Sequence, residues 1–199
     1  MKSFDLLLCS GEGKLSKRII QAQKIMGYAE AEAQISHAAM IYTTISSVTG
    51  RVYVFESTTM NKWCNRSGVQ LNFLDEWLDN YNGKVWQRHI EVERTFDTQC
   101  GIDKLYSLLG RPYESGIPGA FELLRCLLPD WIPTKRTWEL HCTEAIAEVY
   151  QEIGWLEKWH KETPNTEWRV RPNKLPPAVW WHRIDKLMTV KVGQPKQIK

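Results

Sequence analysis

The apolar positions of the chain change period several times, and each change marks an element. Phe4–Cys9 (FDLLLC) is an almost continuous apolar run of strand length and predicts a short buried strand. The glycine-rich stretch Ser10–Lys14 predicts a turn, and Ser16 a cap for a helix reaching about Met26, with Ile19, Ile20 and Gln23 on one side. Tyr28–Gln34 reads as a linker. ISHAAMIYTTI (Ile35–Ile45) and RVYVFES (Arg51–Ser57) predict two strands. The intervening SSVTG places Gly50 at the turn exit, so an antiparallel hairpin follows. Val85–Val92 predicts a third strand.

The second half of the chain turns helical. Ile102, Leu105, Tyr106 and Leu109 keep helical register within Gly101–Leu109, and Ala120–Leu128 forms another short helical pattern ended by Pro129. From Cys142 the apolar residues fall at Ala145, Ile146, Val149, Tyr150 and Ile153. Glu144, Glu148, Gln151 and Glu152 fill the opposite face, and Gly154 supplies a stop. Strands and helices are segregated rather than alternating, which predicts an α+β fold.

A length of 199 residues fits one domain or a compact pair and can bury a core without staples. The net charge of +3 is too small to argue for nucleic acid. Lysine and arginine are scattered, and the basic run at the C-terminus, Lys186–Lys199, reads as a solvated end. Ser10–Lys14 lacks the GK[ST] ending of a phosphate loop, so no nucleotide is expected there. No stretch approaches the ~20 apolar residues of a membrane span, and the apolar run at the N-terminus is too short for a signal peptide. A soluble protein made in the cytoplasm is expected, with export through a phage or toxin system left open.

Five cysteines at irregular spacings, with no C-x-x-C pair, argue against a disulfide framework or a structural zinc site and favour reduced thiols. Of the ten tryptophans, seven lie between Trp131 and Trp181. Trp180 and Trp181, after the proline pair of KLPPAVWW, read as rings pinning the C-terminal segment to the core; the alternative is one wall of a substrate groove.

The stretch ELHCTEAIAEVY carries the candidate chemistry. Cys142 opens the last predicted helix, where unpaired N–H groups and the helix dipole favour an anion. A cysteine so placed has its pKa lowered from about 8.5 into the range of roughly 3.5–7.5, and the thiolate is the nucleophile. The plainer alternative is a small buried cysteine on an apolar stripe. His141 is its sequence neighbour, but adjacent helical residues point about 100° apart, so a base from elsewhere in the fold is expected. The hairpin offers one. His37 interrupts an apolar strand, and Glu56 ends another. A turn centred near Ser46–Ser47 puts the two opposite one another, give or take a slip of one or two residues, at about 5 Å. A thiol, a base and a group steering that base are the parts of an activated nucleophile. Taken singly, His37 also suits a core histidine and Glu56 a charge at a strand end.

ISHAAMIY, VYVFES, LGRPYE and ELHCTEAIAEVYQEIG, in that order, resemble the circularly permuted NlpC/P60-like cysteine hydrolases of the YiiX/YebB type. FDLLL resembles the Gly-Asp-hydrophobic strand that opens those domains, with Phe4 in place of the glycine, and NKLPPAVW resembles their closing segment. The resemblance spans about residues 4–182. It implies a papain-like α+β fold, permuted, with an antiparallel sheet packed against helices and the nucleophile at a helix N-terminus. It implies a single domain over 1–199, with a tail from about 186. Carried over residue by residue, Cys142 is the nucleophile, His37 the base and Glu56 the orienting acid, while His141 is a bystander in the loop before the helix. Tyr113 matches a tyrosine that lines the substrate site in relatives; it also suits a simple turn residue after Pro112.

The expected function is therefore a cysteine peptidase or amidase acting on amide or acyl bonds through a thioester, with no metal or organic cofactor. Its expected partner is a peptide or acyl substrate, with cell-wall stem peptides preferred. One alternative is a lipid-directed acyltransferase or thioesterase on the same residues, marked by a dry acyl channel. Another is a structural or interaction module such as a phage virion component.

Overall fold

The computed structural model describes residues 1–25, 27–44, 50–61, 63–91, 98–113, 141–156, 177, 179–182, 184 and 188–199. In chain order the elements are β1 (Leu6–Gly11), α1 (Lys14–Ile25), α2 (Glu30–Ala33), β2 (His37–Thr43), β3 (Val52–Asn61), β4 (Arg66–Phe73), α3 (Leu74–Asn80), β5 (Gly83–Arg88), β6 (Ile90–Glu91), α4 (Gln99–Leu108), α5 (Cys142–Ile153), α6 (Val179–His182), β7 (Lys191–Val192) and β8 (Lys196–Gln197). Six strands form one antiparallel sheet in the order β4-β3-β2-β1-β5-β8, and β6 pairs with β7 in a small second sheet. This is an α+β architecture. Among the described residues no helix is long and apolar enough to cross a membrane.

The sheet is covered on both faces, which is why its inner strands read as unbroken apolar runs rather than alternating ones. Leu6, Leu8, Ala38, Met40 and Phe55 point to one side, where they meet Leu105 and Leu108 of α4 and Ala145, Ile146, Val149 and Tyr150 of α5. Leu7, Cys9, Ala39, Ile41 and Val54 point to the other side, against Leu74 and Trp77 of α3. The period of two along each strand decides which core a residue joins.

The hairpin of β2 and β3 forms as the spacing predicts; residues 45–49 of its turn lie outside the described residues, as does the predicted helix Ala120–Leu128. The predicted strand Val85–Val92 is instead two short strands that join different sheets. Within Tyr28–Gln34 a single helical turn forms, Glu30–Ala33. Ser16 sits inside α1 rather than before it. The basic tail keeps Lys191 and Lys196 exposed, yet its backbone pairs with β6 through β7 and with β5 through β8. Trp155 and Trp180 are fully buried beside Tyr150.

Phe4 takes φ +71°, a left-handed backbone that glycine adopts freely and that costs other residues about 1–2 kcal/mol. Here the ring offsets the strain: it is buried edge-on against Trp155 at 5.5 Å, and the Phe4 carbonyl accepts from the Tyr150 hydroxyl at 2.8 Å.

Candidate active site

The site forms where two strands part. β2 and β3 pair from Thr43–Val52 to Met40–Phe55, although β2 begins at His37. Continuing that register sets Glu56 opposite Ala39 and His37 opposite Thr58, a slip of two from the expected His37–Glu56 alignment. A slip of one would have sent the two side chains to opposite faces; a slip of two keeps them together. They meet diagonally, with His37 Nε2 at 2.8 Å from Glu56 Oε2. Glu56 is buried and His37 partly so, the side chains 3% and 13% exposed.

Glu56 is fixed by β4, a strand that the sequence reading missed. Gln70 lies directly across from Glu56 and donates Nε2 to Oε1 at 3.3 Å; Asn72 donates Nδ2 to the same oxygen at 3.0 Å. Arg66 in turn donates to Asn72 Oδ1 at 3.3 Å. The available signal was the alternation of Val69, Leu71 and Phe73 with Gln70 and Asn72, which has the period of a strand.

Cys142 reaches the same place from α5. His141 is the N-cap residue in extended conformation, and its backbone N–H is held by the Glu144 carboxylate at 3.2 Å. That closes the helix start and leaves Cys142 as the first helical residue, beside N–H groups that have no intrahelical acceptor. The Cys142 sulfur lies near enough to the His37 ring and to the Ala38 backbone N–H for both to favour its ionised form. Since Nε2 of His37 is committed to Glu56, Nδ1 is the nitrogen left for the thiol.

This arrangement favours a charge-separated pair. Burial alone would depress the His37 imidazolium. The hydrogen bonds to Cys142 and Glu56, and the charges of both, outweigh burial and raise it to about 10. Burial likewise pushes the Cys142 thiol up. The hydrogen bond and positive charge of His37, the Ala38 N–H and the more distant His141 charge together bring it below its ordinary value. Cys9 is the contrast. It sits on β1 directly opposite His37 on β2, but burial and the negative charges of Glu56 and Cys142 raise it well above the usual thiol range despite a hydrogen bond from Tyr81. Cys9, Cys64, Cys100 and Cys142 are all free thiols; Cys126 lies outside the described residues.

Cys142, His37 and Glu56 share a cavity of about 470 Å³ with Tyr113, Trp63 and Tyr81. Tyr113 reaches it because Gly68 lets the segment after α4 lie against β4. Gly68 has φ +94°, and a Cβ there would stand 2.3 Å from the Arg111 carbonyl. Backbone bonds between Val69 and both Arg111 and Gly110 lock the crossing. The Tyr113 ring packs edge-on against His141 at 5.7 Å. His141 thus caps the helix and adds a small charge effect on the thiol. Trp180 is a core residue and Trp181 packs partly buried against Trp86, and neither lines the cavity.

No described protein family matches the chain, and no curated protein does. Five chains of solved structures match it in fold. One is yiiX from Escherichia coli O157:H7, described as a metalloprotein. It is 17% identical, with a TM-score of 0.53 over 100% of this chain and 96% of that one. The fold is YiiX-like. The described residues do not fit a metal centre: no group of three or more His, Cys, Asp or Glu among them could hold an ion. The Glu56 carboxylate is taken up by His37, Gln70 and Asn72, leaving only a thiol and one ring nitrogen as donors.

Proposed function

We propose that this YiiX-like chain is a cysteine hydrolase of amide or related acyl bonds, with Cys142 as nucleophile, His37 as base and then acid, and Glu56 as the residue that orients His37. The observation that carries the reading is the convergence of Cys142, His37 and Glu56 on one cavity, with the His37 Nε2 held by Glu56 and the thiol close enough to the ring to be shifted by it. In sequence His37 and Glu56 precede Cys142, and the nucleophile opens a helix packed on an antiparallel sheet. That order supports a permuted papain-like arrangement.

The chemistry follows from the geometry. The Cys142 thiolate attacks the carbonyl carbon. The oxyanion forms beside the first-turn backbone N–H groups of α5, at the positive end of the helix. His37 gives its Nδ1 proton to the leaving amine or alcohol, and the C–N or C–O bond breaks to leave a thioester. Water then gives a proton to His37 and attacks the thioester. Cys142 leaves as thiolate, the carboxylic acid departs, and His37 is again imidazolium. Glu56 keeps the ring aligned throughout. Tyr113 lines the substrate side of the cavity. Ser16, Ser36, Thr58, Thr59, Asn80 and Asn82 line the cavity beside Leu15, Ile19, Trp63 and Trp77, so its described lining is mixed and offers polar groups to a water acceptor.

Activity-based acyl probes with peptidyl and lipidic tails test the reading. Mass spectrometry should find the label on Cys142, with the peptidyl series reacting faster, and His37→Ala should remove it. Labelling spread evenly over all free thiols, or unchanged in His37→Ala, would sink the proposal.

A further inference from the structure

β4 brings more to the site than its two amides. The turn into it passes through Asn65, whose φ of +51° is a left-handed backbone that asparagine tolerates. Cys64 and Arg66 flank that residue. The ladder beyond is irregular: pairing with β3 shifts between Thr58 and Asn61, and Gly68 takes φ +94°. Such a bulge bends the strand. Each flanking side chain thereby meets a residue six positions further on: Arg66 Nη2 donates to Asn72 Oδ1 at 3.3 Å, and the Cys64 thiol lies 3.9 Å from Gln70 Oε1.

Those contacts decide which way the two amides face. A guanidinium has donors and no acceptor, so the atom of Asn72 beside it is the oxygen, and the amide nitrogen is left for Glu56 Oε1 at 3.0 Å. The reversed amide would set donor against donor at Arg66 and acceptor against acceptor at Glu56. Gln70 is held in the same sense by the weaker thiol donor, and its nitrogen lies 3.3 Å from the same carboxylate oxygen. Oε1 thus carries both amides, while Oε2 meets His37 Nε2 at 2.8 Å. Asn72 is buried and Arg66 exposed. A chain of three hydrogen bonds therefore runs from the surface to the imidazole, through Arg66, Asn72, Glu56 and His37.

We propose that Asn72 is a positioning residue for the hydrolysis: its amide, oriented by Arg66, holds Oε1 of Glu56 and so keeps Oε2 aimed at the His37 ring. An acceptor at position 72 would turn the carboxylate away. The inference rests on Cys142, His37 and Glu56 acting together as proposed above. Among the described residues the other titratable groups that feel Glu56 are His37 on β2, Cys9 on β1 and Tyr81 at the end of α3. Burial and the charge of Glu56 raise Cys9 and Tyr81 well above their ordinary values, and His37 is raised to about 10. None of the three changes charge between about pH 5 and about pH 8.

Turnover of an activated acyl ester, counted per folded molecule by circular dichroism, tests this. Asn72→Asp keeps the shape and exchanges the donor for an oxygen. While the paired carboxyls share a proton, the new O–H still serves Glu56; as pH rises the proton is lost and two carboxylates repel. The ratio of Asn72→Asp kcat to wild-type kcat should therefore rise about tenfold as pH falls from about 8 to about 5, as one hydrogen bond to a charged group is regained. A flat ratio, whether near one or low, overturns the role of Asn72, because a packing defect does not titrate. Arg66 lies at the surface, where a substitution spares the core. Arg66→Met should lower kcat about threefold with KM unchanged, and Arg66→Lys, which keeps a donor, should stay near wild type. An unchanged kcat in Arg66→Met overturns the orienting role of Arg66. Turnover that survives Cys142→Ala overturns the hydrolase reading, and this inference with it.

Discussion

Among the described residues two histidines pair with carboxylates, one within the sheet and one at its margin, and only the first lies near a thiol. His37 Nε2 lies 2.8 Å from Glu56, and His89 Nδ1 lies 2.6 Å from Asp5. Both carboxylates are buried. Asp5, however, also accepts Gln87 Nε2 at 2.5 Å and the backbone N–H groups of Lys2 and Ile90 at 3.0 and 3.3 Å. It fastens the N-terminus to the junction of β5 and β6. His89 is 37% exposed and lies away from the cavity. Glu56 instead receives side-chain amides, and its histidine lies beside Cys142. The contact itself is nearly the same in the two places. What separates a staple from a candidate catalytic row is the third group and the cavity in front of it.

That contrast can be broken by experiment. The largest effect expected is from Cys142→Ala: hydrolysis of an activated acyl ester should fall by about 10⁴-fold or more, with the circular dichroism spectrum unchanged. Residual activity near wild type would move the chemistry elsewhere. His37→Ala should follow, with a loss of about 10³-fold. In the wild type, thiolate reactivity should hold from the lowered Cys142 pKa upward, and the imidazolium partner should persist until pH approaches about 10. Without the imidazole the thiolate loses its main support, so the iodoacetamide rate profile should shift to higher pH. A profile that stays put would mean His37 does not activate the thiol. Glu56→Gln should cost about 10–100-fold in turnover, since the ring keeps its place but loses the charge that steadies the imidazolium.

Asp5→Ala sharpens the comparison from the other side. Removing a buried carboxylate that serves four donors should lower stability by about 2–4 kcal/mol in urea unfolding, while turnover per folded molecule stays within about threefold. If turnover fell as far as in His37→Ala, the two pairs would not be functionally distinct. The smallest effect belongs to His141→Ala. Its charge is the weakest of the influences on Cys142, so turnover should change by no more than about twofold. A loss matching His37→Ala would make His141 the base.

The inner strands and the cysteine helix were legible because their signals are local. Apolar runs at β1 and β2, the spacing of Ala145, Ile146, Val149 and Ile153, and the Gly154 stop all lie within a few residues of one another. β4 was missed although its alternation was there to read, and what masked it is tied to the site. Gln70 and Asn72 are buried at 5% and 3% exposure, so polar residues occupy an inward face where hydrophobic patterning expects apolar ones. They are there because Glu56 needs donors. The tail strands β7 and β8 are two residues each, too short for any period to show. His37 and Glu56 stood out as polar interruptions of apolar strands, yet nothing local said which residue of β3 would face which residue of β2.

The sequence by itself determined an α+β chain with a hairpin, a cysteine at the start of an amphipathic helix, and two polar residues embedded in apolar strands. Only the tertiary structure decided the register of β2 against β3, the point at which those strands part, and the joining of sulfur, ring and carboxylate inside one cavity. Periodicity and capping are set by neighbours along the chain. Register and the meeting of distant side chains are set by how two cores on opposite faces of a sheet pack at once, and no stretch of sequence contains that information alone.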